Sequence, residues 1–200
     1  MNTTQSPAAT TQNVADNTNQ NSDTAKIPVW NEELVVTSEN GSAKYQVLNP
    51  DTYGNGTVVY VQNMDTSASK VTIPDQIVVY GITYKVVAIA DKAFYNNKNL
   101  KSVVVGQNVL SIGNQAFAKC SKLTKVVIGK NVKTIGKKAF YKCSKLKQIT
   151  IKGKKLKKVG KKAITGIYKK AIIKVPAAKK KYYKKLWNKS KGFTKGMKVK

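Results

Sequence analysis

The chain has 200 residues, 41% of them hydrophobic, and a formal net charge of +28 from 37 lysines, with no arginine and no histidine. No stretch approaches the ~20 consecutive apolar residues of a membrane-spanning helix, and the lack of histidine excludes an imidazole base and a His-containing zinc site. We therefore expect no membrane span, no metal, no cofactor and no catalytic residues.

The charge is divided unevenly along the chain. All nine acidic residues and four lysines lie in 1–91, whereas 92–200 hold 33 lysines and no acid. This asymmetry favours an anionic partner for the second half, although lysines at solvated positions would give the same composition. Arginine is the usual side chain for recognising guanine edges and for binding phosphate through two parallel hydrogen bonds. Its absence favours loose attraction to polyanions over sequence-specific nucleic-acid recognition.

The first 26 residues are rich in Asn, Thr, Gln, Ser and Ala. This composition predicts a disordered tail or linker. A basic start followed by an apolar run is missing, so we expect no signal peptide in this segment.

Residues 27–70 are predicted to form a β-rich unit. "ELVVTSENGSAKYQVLNP" has two apolar runs around a hairpin turn at 39–42, and "DTYGNGTVVYVQNM" adds a turn at 53–56 and a third strand. We interpret the unit as an N-terminal β cap over the first repeat. The alternative is a separate binding module, although a segment this short is not expected to fold stably by itself.

An internal repeat occupies residues 71–170. The pairs Ala93–Phe94, Ala116–Phe117 and Ala139–Phe140 recur every 23 residues, and Ala163–Ile164 follows after 24. Self-similarity at this period predicts a solenoid, in which each unit buries its apolar face only against its neighbours. If the same 23-residue spacing is extended upstream, Tyr80 falls at the position equivalent to Val103.

Within one unit the periodicity changes from strand to helix. Val126 and Ile128 alternate as in a strand, a bend follows at 129–131, and Ala139, Phe140 and Cys143 have the spacing of one to two helical turns. The sequence thus predicts an α/β repeat solenoid of strand–turn–short-helix units, each about 23 residues long.

The two cysteines, Cys120 and Cys143, fall in one inward-facing column. Buried free thiols are expected, because free cysteine commonly behaves as a small apolar residue. A disulfide is the alternative: stacked strands ~4.8 Å apart are within its Cα range, but the two side chains would point in parallel.

Residues 171–200 are predicted to be a C-terminal cap. "AIIKV" predicts a strand, and Pro176 can begin a helix. Tyr182, Tyr183, Leu186 and Trp187 would line one side of that lysine-rich helix. This face either closes the last repeat or lies on an anionic membrane surface.

The phrase "IGNQAFAKCSKLTKVVIGKNVKTIGKKAFYKCSKL" resembles the BspA-type leucine-rich repeats of bacterial surface proteins. "VTIPDQIVVYGITYKVVAIADKAF" is similar to their opening unit and "GIYKKAIIKVPAAKKKYYKKL" to their closing segment, so the likeness covers about residues 70–190. The resemblance implies a right-handed leucine-rich-repeat stack. It also implies a secreted or cell-surface protein used for adhesion or binding rather than catalysis.

Two sets of outward residues are candidate binding sites. Val104, Lys125 and Val127 lie on the outward face of the main strand, where an exposed apolar column can mark a protein interface. The excess lysines fall instead in turns and on the second extended segment, where neighbouring units place like charges within a Debye length. The candidate polyanion-binding residues there are Lys130, Lys133, Lys154, Lys155, Lys157 and Lys158.

These observations lead to one functional expectation and one alternative. We expect a non-catalytic, monomeric, extracellular or cell-surface repeat protein. Its basic flank would attract an anionic polymer, which is a wall or host glycan or, non-specifically, extracellular DNA. The alternative is a module that binds a host or surface protein through its concave strand face. With no histidine or arginine, and with every carboxylate at or before Asp91, no acid–base or nucleophile–base pair is apparent.

Overall fold

The structure, a computed structural model of the protein, describes residues 28–38, 41–50 and 55–200. The expected tail at 1–26 lies outside these residues, as do the predicted turn positions 39–40 and 53–54. In chain order the described elements are β1 (Glu33–Ser38), β2 (Gly41–Asn49), β3 (Gly56–Asn63), β4 (Lys70–Ile73), β5 (Gln76–Val79), β6 (Ile82–Ile89), β7 (Ser102–Val105), β8 (Ser111–Ile112), β9 (Lys125–Ile128), β10 (Thr134–Ile135), β11 (Gln148–Ile151), β12 (Lys158–Val159), β13 (Ile172–Lys174), α1 (Lys180–Leu186) and β14 (Lys198–Val199).

The main strands of successive coils form one parallel sheet. Its order is β4, β7, β9, β11, β13 and β14, so each strand pairs with that of the next coil. Val103, Val126, Ile149 and Ile173 share one register and are all buried. A coil therefore buries its apolar face only by stacking on its neighbours. The predicted solenoid is confirmed.

The second sheet runs along the next side of the coils. β6, β8, β10 and β12 are parallel, and they stack the buried residues Ile89, Ile112, Ile135 and Val159 in one column. β3 pairs with β6 in parallel and with β2 antiparallel, while β1 pairs with β2. The three N-terminal strands thus extend this sheet beyond the first coil.

The phenylalanines of the repeated pair form a continuous column, as the repeat predicts. The ring centroids of Phe94 and Phe117 are 4.9 Å apart, and those of Phe117 and Phe140 are 5.4 Å apart. All three rings are buried. This alignment follows from the constant 23-residue period, which returns each ring to the same place in the coil.

The third segment of each coil differs from the predicted short helix. Residues 114–119 and 137–142 form successive turns, and Lys138 and Lys142 have φ of 55° and 57°, in the left-handed region. The amide of Phe117 donates to the carbonyl of Ala139 (2.8 Å), and the amide of Phe140 donates to that of Ala163 (2.7 Å). Hydrogen bonds between coils thereby satisfy backbone groups that a helix would pair within itself.

The first coil also has a different register from the predicted one. Val71 pairs with Val103, and Ile73 pairs with Val105, whereas the repeat frame equated Tyr80 with Val103. Tyr80 instead lies in the turn between β5 and β6 and is 41% exposed. The β5–β6 hairpin adds residues between the two legs of this coil, so its main strand begins earlier in the sequence than the period predicts.

Cys120 and Cys143 are buried and free, which confirms the expected buried thiols. Their sulfur atoms donate 3.0 Å hydrogen bonds to the carbonyls of Phe94 and Phe117, respectively. Hydrogen bonding with Cys120, together with burial, raises the pKa of the Cys143 thiol. Both side chains lie in the hydrophobic core, where free cysteine packs as a small apolar residue.

At the C-terminus a 3-10 turn at 177–179 follows Pro176 and leads into α1. Tyr183 and Trp187 are buried against the last coil, and the Tyr183 hydroxyl donates to the carbonyl of Gly153 (2.9 Å). Leu186 packs partly against the core. Tyr182 is 44% exposed, so its predicted place on the inward face is wrong: it precedes Tyr183 by one residue, about 100° around the helix.

Candidate functional site

The outward face of the first sheet brings the predicted strand-face residues together. Val104 and Val127 are paired in register on β7 and β9, and Lys125 lies two positions before Val127 on the same side of the strand. Val104 is 40% exposed, and Val127 is half-buried. They form a small apolar ladder beside one positive charge.

The six predicted polyanion-binding lysines are all exposed and lie along one side of the solenoid, which we call the basic flank: Lys130, Lys133, Lys154, Lys155, Lys157 and Lys158. Lys130 and Lys154 follow β9 and β11 at equivalent corners. Lys133 and Lys157 are stacked directly, since the amide of Lys157 donates to the carbonyl of Lys133 (2.8 Å). Lys158 pairs with Thr134 in the second sheet.

A ladder of polar side chains at the corner after the main strands leads into the basic flank. Asp75 accepts a hydrogen bond from the amide of Gln107, whose side-chain oxygen accepts one from the amide of Lys130 (3.2 Å). Beside it, the Lys155 ammonium donates to the side-chain oxygen of Asn131 (2.9 Å). The corner therefore changes from acid to amide to lysine as the coils advance.

The corner after the second sheet repeats this progression. The Asp91 carboxylate accepts from the backbone amide of Asn114 (2.5 Å) and from its side-chain amide (3.0 Å). The side-chain oxygen of Asn114 then accepts from the amide of Lys137 (2.7 Å). Asp75 and Asp91 thus each hold a different corner. Sequence reasoning missed both ladders. Asp91, Asn114 and Lys137 recur at the 23-residue step and were a visible signal, whereas Asp75 lies 32 residues before Gln107 and falls outside the period.

A shallow groove of about 470 Å³ runs along β8, β10 and β12 beside the basic flank. Ser111, Thr134 and Lys158 are neighbours in one row of the second sheet. Lys137 and Lys161 also line the groove. Gly136 lines it as well, and a Cβ there would lie 2.5 Å from the carbonyl carbon of Gly113. Glycine thus lets the coils approach closely and leaves the groove open.

The third side of the coils carries tyrosines covered by lysines. The Lys119 ammonium lies 5.1 Å from the ring centroid of Tyr95, and that of Lys147 lies 5.6 Å from the ring centroid of Tyr168. A hydrogen bond with Lys119 lowers the pKa of the Tyr95 hydroxyl. These exposed contacts are favourable cation–π pairs, and they hold some of the lysines near the surface.

Among the described residues, every helix is too short or too polar to cross a membrane.

Comparison with known proteins identifies the repeat. A family model described as "BspA type Leucine rich repeat region" matches residues 64–194 in six copies. The chain is similar to a leucine-rich repeat protein of Bacteroides capillosus, with a TM-score of 0.53 and 26% identity over 62% of this chain and 86% of that one. It is also similar to a leucine rich cell surface protein of Faecalibacterium prausnitzii, with a TM-score of 0.50 and 25% identity over 77% of this chain and 38% of that one.

None of the curated proteins compared with this chain matches it. The family model nevertheless spans more than half of the sequence, and the matched region contains the parallel strands β4, β7, β9, β11 and β13. On this evidence of sequence and fold together, the protein belongs to the BspA-type leucine-rich repeat family.

Proposed function

We propose that this protein is a non-catalytic, extracellular or cell-surface repeat protein whose basic flank binds anionic polymers during adhesion. Leucine-rich repeats of this family are suited to binding, and one similar structure is that of a leucine rich cell surface protein. The observation that carries the proposal is the stacking of exposed lysines on successive coils, at corners where earlier coils carry acids and amides.

The geometry of the flank supports electrostatic binding of a chain-like ligand. Parallel strands are ~4.8 Å apart, so stacked lysines such as Lys133 and Lys157 lie well within the ~8 Å Debye length at physiological ionic strength. Their mutual repulsion is relieved when an anion binds between them. The neighbouring groove along β8, β10 and β12 gives a linear polymer a path across the coils, with Ser111 and Thr134 as hydrogen-bonding partners.

The basic flank contains lysine and no arginine, and this composition favours a broad class of anionic ligands. An ammonium is a point charge that rotates freely, whereas the planar fork of arginine selects carboxylate, phosphate or guanine geometry. We therefore favour wall polymers and sulfated host glycans, bound mainly through charge density. Binding of duplex DNA would be non-specific.

The test compares binding of heparin and of a glycerol-phosphate polymer over a series of salt concentrations. Binding should weaken steeply with salt, because each lysine–anion contact releases counterions. Replacing Lys133, Lys154, Lys157 and Lys158 by glutamine should reduce the log–log salt slope by about 3. The matched control replaces the exposed residues Lys169, Lys170, Lys180 and Lys181 by glutamine. Equal effects of the two variants, or salt-independent binding, would contradict the proposal.

The strand face is a second candidate, for a protein partner. The exposed Val104 and the half-buried Val127 form an apolar ladder next to Lys125, and such patches mark interfaces when they are contiguous. Substituting Val104→Glu should then weaken binding of a host or surface protein but leave heparin binding unchanged. A partner complex that tolerates Val104→Glu, Lys125→Glu and Val127→Glu would eliminate this face.

The segments before and after the repeat are proposed as caps on the ends of the solenoid. We propose residues 27–70 as the N-terminal β cap, 71–170 as the repeat solenoid and 171–200 as the C-terminal cap. Tyr60 packs on the first coil's Phe94, and Trp187 is buried beside the last coil. Contacts of this kind cover the apolar ends of a solenoid, and solenoid proteins need such caps to be soluble.

A further inference from the structure

A cleft of about 580 Å³ lies at the N-terminal end of the solenoid, away from the basic flank. One wall is the segment at 61–66 that follows β3, and the other is the third segment of the first coil at 91–99. Its volume is within the ~300–1,000 Å³ range of small-molecule sites.

The cleft exists because the first coil has no complete coil before it. In later coils three backbone amides of the third segment bond to the next coil; for example Gln115, Phe117 and Lys119 donate to the carbonyls of Lys137, Ala139 and Tyr141. Among the described residues, the third segment of the first coil receives one such backbone bond from its N-terminal side, from the amide of Asn63 to the carbonyl of Ala93 (3.2 Å). Space that a preceding coil would fill is left open.

Asn97 carries an unsatisfied donor at this place. It occupies the repeat position of Cys120 and Cys143, whose sulfur atoms donate to the preceding coil's carbonyls. Asn97 is 7% exposed and lines the cleft. Its side-chain oxygen accepts from the amides of Asn99 (2.9 Å) and Leu100 (3.0 Å). Its side-chain nitrogen has no hydrogen-bond partner among the described residues, and an unmet buried donor of this kind calls for an explanation.

The remaining lining has the chemistry of a hydroxyl-rich ligand. Gln62 and Asn96 contribute side-chain amides and Thr66 a hydroxyl, and these groups both donate and accept hydrogen bonds, as sugar hydroxyls do. Tyr95 also lines the cleft, with its side chain 38% exposed and its ring in contact with the Lys119 ammonium. The Asp91 carboxylate is already occupied by Asn114.

We propose that this cleft binds a pyranose sugar residue, with the side-chain nitrogen of Asn97 donating to a sugar oxygen. Lys92 and Lys98 also line the cleft, but the proposed contacts to the sugar come from uncharged polar groups, so binding persists at high salt. The site is independent of the basic flank, and one measurement separates the two: polyanion binding falls with salt, whereas binding in the cleft does not.

The experiment uses the isotope-labelled full chain at high salt. The methyl glycosides of glucose, galactose, mannose and N-acetylglucosamine are titrated one at a time. We expect at least one sugar to shift the side-chain amide signals of Asn97 and Gln62 saturably. Asn97→Cys, which introduces the residue that this column carries at 120 and 143, should weaken that affinity about fivefold or more.

Two further variants keep the test decisive if Asn97→Cys folds poorly. Gln62→Ala changes an exposed side chain at the cleft and should also weaken sugar binding, whereas Lys133→Gln on the basic flank should leave it unchanged. The absence of a saturable shift with all four sugars would overturn the proposal. Unchanged sugar affinity in both cleft variants would also overturn the proposal. Displacement of the sugar by polyanions only at low salt would overturn it as well.

Discussion

The ring of Tyr60 stacks on the ring of Phe94, with centroids 5.2 Å apart and planes inclined by only 12°. Tyr60 belongs to β3, before the repeat, yet it continues the column formed by Phe94, Phe117 and Phe140. Tyr45 meets Tyr60 edge-on at 5.2 Å. The N-terminal strands and the repeat therefore share one aromatic core, so we expect them to unfold together.

Replacing Tyr60 with alanine should lower the free energy of unfolding by about 3–5 kcal/mol, because it leaves a cavity beneath Phe94. Chemical denaturation monitored by circular dichroism measures the change. Tyr95→Ala is the matched control: its side chain is 38% exposed, so the loss should be much smaller. Equal losses in the two variants would show that the column does not extend through Tyr60.

The stability contributed by Tyr60 should depend on pH. Burial raises the pKa of Tyr60 above its ordinary value of 10.0, and nearby Tyr45 and Asp65 raise it further. The folded state therefore favours the protonated phenol. Its contribution is fully present below about pH 10 and is lost above it, by up to about 1.4 kcal/mol per pH unit.

A comparison with Tyr60→Phe isolates this effect from titration of the lysines, which both proteins share. At pH 7 the wild type should be more stable by about 1–2 kcal/mol, because its hydroxyl donates to the buried side-chain oxygen of Asn63 (3.0 Å). The gap should narrow as the pH rises above 10. A constant gap between pH 7 and pH 11 would contradict the assigned cause.

Lys142 distinguishes the observed turn from the predicted helix. Its φ of 57° is left-handed, where a residue with a Cβ is disfavoured by about 1–2 kcal/mol. Lys142→Gly should therefore be more stable than Lys142→Ala by up to about 1 kcal/mol. In a helix the order would reverse, since glycine costs about 0.5–1 kcal/mol relative to alanine. Both variants lose the Lys142 side chain beyond Cβ and differ only in the Cβ itself, so thermal unfolding of the pair decides the sign.

Repulsion within the basic flank should be measurable without any ligand. Lys133→Glu places an acid directly beside Lys157 in the next coil and should be more stable than Lys133→Gln by about 0.2–1 kcal/mol at low salt. The difference should shrink in high salt because the charges are screened. If it grows with salt, or favours glutamine at low salt, Lys133 and Lys157 do not interact as proposed.

The first coil shows where sequence periodicity misleads. Val86 and Ile89 keep the 23-residue step to Val109 and Ile112, and Ile89 pairs with Ile112 as predicted. The main strand does not keep it: Val71, 32 positions before Val103, pairs with that residue. The inserted β5–β6 hairpin is itself apolar. Counting back 23 residues from Val103 therefore reached Tyr80, an apolar residue, instead of Val71 on the main strand.

The third segment shows a different limit. The spacing of Ala139, Phe140 and Cys143 indicates which side chains are buried, and all three are buried. The same spacing suits a helical turn, however, and the backbone follows the bonds that stacking offers, such as Phe117 to Ala139. Those partners lie in the next coil, beyond the reach of local pattern. The corner ladder from Asp75 to Gln107 was missed because its 32-residue spacing departs from the period, whereas the ladder from Asp91 to Asn114 keeps the 23-residue step and was visible in the sequence.

The amino-acid sequence alone determined the stacked architecture, its period and its inward columns, because each buried position is repeated and each repeat buries its face only on its neighbours. Tertiary structure decided the register of the first coil, the continuation of the phenylalanine column by Tyr60, and the cleft beside Asn97. These three features depend on how the chain enters the stack. Only one coil has that environment, so no repetition in the sequence records it.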